Sequence, residues 1–170
     1  MTLFTLSQIL VGIAICTDIV SFQFKKKAHI VCCLLISCIL IAVHFACLGH
    51  WTAALLGMLA AGRFAISLFT TSKLCMALFI SAAVVASLLT FEGMLSILSC
   101  SGAVFGTIAS FSREDKQLRR LMMVATTFWL IHNFLAGSPA AVIMECIFLG
   151  SNLVGYFRYY IRTPNRAFGL

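Results

Sequence analysis

The chain has 170 residues, 62% of them hydrophobic and 10% charged, with a mean hydropathy of +1.07. That balance excludes a water-soluble domain, which needs far more charge to cover its surface. The net charge of +7 invites a nucleic-acid partner, but the cations sit in short loops beside apolar spans, where anionic lipid headgroups account for them.

Seven apolar segments are predicted as helices, each near the ~20 residues needed to cross ~30 Å of hydrocarbon. The first, Leu3–Phe22, carries Asp18, and the cluster Lys25-Lys26-Lys27 follows it as in an uncleaved anchor. His29–Leu48 bears His44 near its end, and Trp51–Thr70 bears Arg63 at mid-helix. Along that third segment Ala53, Gly57, Ala61 and Ala65 recur every four residues, a stripe suited to close helix packing. Lys73–Thr90 has no charge after its first residue, and Ser72 stands where a cap is needed. Gly93–Phe111 has its own small stripe of Gly102, Gly106 and Ser110. Leu118–Ala136 holds His132 and Asn133, and the pair Ser112 and Asp115 reads as a capping box that starts this helix early, in the loop. Gly137 suits a left-handed helix end, Ser138 a cap and Pro139 a first turn, opening Pro139–Ile161 with Glu145 and Asn152. Residues 162–170 form a tail.

Eleven of the twelve basic residues fall on one side of this arrangement, the exception being Arg63. The positive-inside rule then puts the N-terminus outside and the tail in the cytoplasm. The chain also echoes itself. His44 and Leu48-Gly49 return 88 positions later as His132 and Ala136-Gly137, and Ser21-Phe22 returns as Ser110-Phe111 at nearly that offset. The fold class expected is therefore an all-α membrane protein whose seven transmembrane helices form two parallel three-helix bundles, 1–71 and 91–161, joined by a linker helix at 72–90.

The eight cysteines lie within or at the ends of apolar spans without zinc-type spacing, so they read as free, small hydrophobes. No phosphate-binding loop, metal-ligand spacing or nucleophile paired with a base is present. Neither an enzyme nor a cofactor is expected.

The residues His44-Phe45, Gly49, Arg63, the run Trp129-Leu130-Ile131-His132-Asn133-Phe134-Leu135-Ala136-Gly137, then Glu145, Asn152 and Tyr156-Phe157-Arg158 resemble the YgjV family of bacterial inner-membrane proteins. The resemblance covers nearly the whole chain, and it implies an inner-membrane location without an activity to carry over. More remotely the chain is similar to the PQ-loop and SWEET carriers, which share the parallel-repeat plan. It departs from them in having no Pro-Gln pair in helix one or helix five.

Charges inside a bilayer are costly, ~2.5–3.5 kcal/mol at mid-helix on translocon scales. At ~1.5 Å per residue, Arg63 lies roughly 18 Å from the outer end of its helix, Asp18 about 22 Å in and Glu145 about 10 Å in. Depth makes Asp18 the structural ion-pair partner of Arg63. The other role open to Arg63 is to bind a small polar or anionic solute with its planar donors, together with Asn152, whose alternative role is in interhelical hydrogen bonds. His44, His132, Asn133 and Glu145 lie near the outer side as a proton-linked gate; in the plainer reading the two histidines cap helix ends and bond to backbone carbonyls or interfacial water. The leading expectation is a small-solute transporter working by alternating access at a midplane site between the bundles. The alternative is a non-transporting scaffold that binds lipid or a partner.

Overall fold

A computed structural model describes residues 2–49, 51–89, 91 and 93–162. Among these, seven α-helices and no strand occur: α1 (Leu3–Ser21), α2 (Lys27–Cys47), α3 (Trp51–Phe69), α4 (Lys73–Leu89), α5 (Met94–Ser110), α6 (Asp115–Leu135) and α7 (Pro139–Tyr156). A π-helical turn, Phe157–Ile161, continues α7. The expected tail lies, from residue 163 onward, outside the described residues. Among the described residues, three stretches are long and apolar enough to cross a membrane: Leu3–Ser21, Lys27–Cys47 and Ala141–Ile161. Leu56–Phe69, Lys73–Leu89 and Met94–Ser110 are apolar but shorter. The first two turns of α6 hold Asp115, Lys116, Arg119 and Arg120, which make it the most polar of the seven.

Local chemistry explains where the helices stop. Gly49 and Gly137, with φ of +76° and +68°, take the left-handed conformation after α2 and α6, which residues bearing a Cβ rarely adopt. Pro139 opens α7 in its first turn. Two expected caps do not form. Ser138 occupies the N-cap of α7 without a side-chain capping bond. Ser112 turns its hydroxyl back to the Ile108 carbonyl at 3.0 Å, so it satisfies an acceptor at the end of α5 instead of opening a capping box. Glu114 takes the N-cap of α6, also without a side-chain bond, and α6 starts ahead of Leu118 as the loop-start reading expects.

The chain divides into two compact units, Met1–Thr70 and Thr71–Leu170. In the first, α2 packs against both α1 and α3, around buried Ala14, Phe22, Ile30, Val31, Leu34 and Phe64. In the second, α6 packs against both α5 and α7, and α4 packs on α5, around Leu98, Phe111, Leu118 and Met122. No residue of α4 is fully buried, and its Leu74, Leu78 and Leu88 are exposed. Lipid tails are as apolar as leucine, so helices in a bilayer associate by close packing and hydrogen bonds, not by the hydrophobic effect.

The small-residue stripes provide that packing. A Cβ at Gly57 would lie 3.1 Å from the Ala42 Cβ of α2. One at Gly102 would lie 2.7 Å from Trp129 Nε1 of α6. The indole fills the space that the missing side chain leaves, and van der Waals contact brings α5 and α6 together there. Gly102→Ala should therefore overpack this contact and cost about 1–3 kcal/mol, whereas Gly57→Ala should cost less. Thermal unfolding of the purified protein in detergent checks the order of the two.

Candidate functional site

In the first unit, a polar set gathers on the inner face of the α1–α2 hairpin. Asp18, half-buried one turn before the end of α1, accepts a hydrogen bond from Ser37 of α2. Ser37 is itself buried, and its Oγ lies 3.4 Å from the Ala14 carbonyl of α1. Below it, Ser21 Oγ donates to the Asp18 backbone carbonyl at 2.6 Å. The Cys38 thiol lies in the electrostatic fields of both Asp18 and Arg63, so these two charges occupy one neighbourhood. Arg63 is half-buried on α3, with its guanidinium carbon 4.8 Å from the Phe64 ring centroid.

At the other end of this hairpin, His44 Nδ1 lies 2.8 Å from the Ser7 carbonyl oxygen of α1. A carbonyl only accepts, so Nδ1 carries the proton and a neutral ring keeps its lone pair on Nε2. The second unit repeats this contact: His132 Nδ1 lies 3.0 Å from the Leu95 carbonyl of α5. Each histidine reaches a carbonyl 37 residues before it. Trp129 stacks edge-on against the His132 ring, 5.4 Å between centroids.

Elsewhere in the second unit, Asn152 of α7 is fully buried and donates from Nδ2 to the Arg119 carbonyl of α6 at 2.9 Å. Its Oδ1 is buried without a hydrogen-bond partner among the described residues. Asn133 is half-buried on α6, where its backbone carbonyl accepts from the Ser138 N–H at 3.0 Å. Glu145 is half-buried on α7 and engaged in its own contacts. No group of three or more histidine, cysteine or acidic side chains able to hold a metal occurs among the described residues.

One feature lay outside the sequence reading. At the start of α6, Lys116, Arg119 and Arg120 lie over the rings of Tyr160, Tyr159 and Tyr156, at 5.5, 5.4 and 5.7 Å. Arg120 Nε also donates to Tyr156 Oη at 2.8 Å, and the Tyr160 hydroxyl donates to Asp115. Both sets have the spacing i, i+3, i+4, which places three side chains on one helix face. The matching pattern is present in the sequence and was its available signal. Arg119, although it reads as a loop cation, is fully buried here.

The model of the bacterial inner membrane protein family Imp-YgjV matches residues 5–163 of the chain. The chain is similar to the Inner membrane protein YgjV of Escherichia coli (strain K12), at 32% identity over 139 residues, which is 80% of this chain and 73% of that protein. No solved structure matches it.

The two histidine contacts each tie one helix to its neighbour, and interhelical hydrogen bonds in membranes average about 0.6 kcal/mol with a maximum near 1.7. His44→Phe and His132→Phe should each lower stability within that range. The more buried His44 should lose more, as measured by reversible unfolding in mixed micelles.

Proposed function

The chain belongs to the Imp-YgjV family of bacterial inner membrane proteins, and on that premise we propose that it is a small-solute transporter working by alternating access. The two three-helix bundles are read as parallel repeats flanking α4, with the N-terminus outside and the C-terminus in the cytoplasm. Arg63 and Asn152 bind the solute, a small polar or anionic molecule. His44, His132, Asn133 and Glu145 form the gate.

The observation that carries this reading is the Asn152 carboxamide. An unmet buried acceptor costs about 1–3 kcal/mol, and a bound solute with an N–H or O–H donor would recover that cost. Arg63 adds planar donors suited to a carbonyl or an anion. Three matches at the 88-residue offset support the repeat: α2 and α6 each have 21 residues, each precedes a left-handed glycine, and each sends a histidine to the helix before it. The C-caps of α1 and α5, Phe22 and Phe111, also share their backbone angles, −82° and 1° against −86° and 2°.

A second reading, a non-transporting scaffold that binds lipid or a partner, is favoured by the same histidine contacts. Both rings spend a nitrogen on a backbone carbonyl, which is a static role.

Two measurements test the proposal. A metabolite library screened by thermal unfolding should yield a compound that stabilises the wild type, by about 2.7 kcal/mol at a hundred times its Kd. The shift should vanish in Arg63→Ala and Asn152→Ala proteins that still unfold cooperatively. Absence of any shift across the library would favour the scaffold. A fluorescent reporter fused to the C-terminus should fluoresce as cytoplasmic, and an export-dependent reporter at the same place should stay inactive.

A further inference from the structure

We propose that the Asp18 carboxyl group, with the Ser37 hydroxyl and the Ala14 carbonyl, forms a proton-binding site inside the first unit. Ser37 has one hydroxyl proton and two acceptors within reach, the Asp18 carboxylate and the Ala14 carbonyl at 3.4 Å. With Asp18 ionised, that proton goes to the carboxylate. When a hydronium ion from the aqueous phase delivers a proton to an Asp18 oxygen, a water molecule departs and the carboxyl gains an O–H donor. This donor turns to Ser37 Oγ, and Ser37 redirects its own proton to the Ala14 carbonyl. Both states leave these groups hydrogen-bonded, so the site accepts or releases a proton without stranding a buried polar atom.

The surroundings suit such an exchange. Ala14 and Ser37 are buried and Asp18 is half-buried, one turn from the end of α1, where the loop bearing Lys25 and Lys26 begins and leads to Lys27 at the start of α2. From α2 the Cys33 and Cys38 thiols feel the Asp18 charge, and Arg63 of α3 acts on the same Cys38 thiol. Counted from the matching helix ends Phe22 and Phe111, the second unit has Ala103 and Thr107 in place of Ala14 and Asp18, and at the 88-residue offset Ala125 in place of Ser37. None of those three has a carboxyl group to hold a proton. The proton site therefore belongs to one half of the chain. Within the transporter reading, and resting on it for this point alone, the proton is the coupling ion.

Infrared difference spectroscopy of the full chain in lipid nanodiscs, acid minus alkaline, tests the site. The chain has five acidic side chains in all, so a single carboxylic carbonyl band can be assigned by substitution. A protonated-carboxyl band is expected on acidification, lost in Asp18→Asn. In Ser37→Ala it should persist but move to higher frequency, because its hydrogen-bond partner is gone. A band unchanged in Asp18→Asn would overturn the proposal. So would a band at the same frequency in Ser37→Ala, which decides the matter alone if Asp18→Asn fails to fold. No solute enters this measurement, so an absence of transport would leave its result standing.

Discussion

A bilayer supplies neither water to satisfy a polar group nor a hydrophobic force to hold helices together. The fold depends on how this chain meets that constraint. Polar side chains of one helix bond to the backbone or the rings of the next. His44 ties α2 to α1 through the Ser7 carbonyl, His132 ties α6 to α5 through the Leu95 carbonyl, and Asn152 ties α7 to α6 through the Arg119 carbonyl. Between α2 and α3, small residues bring the backbones close, with Gly57 against Ala42. Helices whose ordered contacts are few, such as α4, present leucines to the surroundings.

The polar groups not needed for these ties differ between the two units. The first holds Asp18, Ser37 and Arg63, whereas the residues 88 positions later are Gly106, Ala125 and Ser151. Conversely, Arg119, Glu145 and Asn152 of the second unit correspond to Val31, Gly57 and Phe64 of the first. Similar frames thus carry complementary chemistry. One presents an acid, a hydroxyl and a guanidinium, and the other a carboxamide with an open acceptor. Each histidine tie joins the two helices of its own hairpin, by a contact separate from the residues that differ.

The helices were legible because long apolar runs leave few alternatives, and because Gly137 and Pro139 act through backbone geometry that any context must respect. Caps were less legible. A serine hydroxyl bonds equally well to the helix behind it, as Ser112 does with Ile108. The plainer role read for His44 and His132, bonding to backbone carbonyls, is the contact each makes. Ser37 was missed because a lone serine in an apolar run looks like any small residue until the face of α1 that it meets is known. The burial of Arg119 depends on Tyr159, forty positions later, and local sequence says nothing of a contact at that range.

The ladder of cations and tyrosines between α6 and α7 has a mechanical consequence. The two helices are joined at one end by the short link 136–138 and clasped at the other by three cation–ring contacts, each worth about 0.5–1 kcal/mol where exposed. Sliding α7 by one helical turn would displace every tyrosine by about 5.4 Å and break all three contacts together. The three contacts together therefore oppose sliding of α7 along α6. Such a clasp fixes the register of α7 on α6, which the short link 136–138 alone leaves free to vary at the far end.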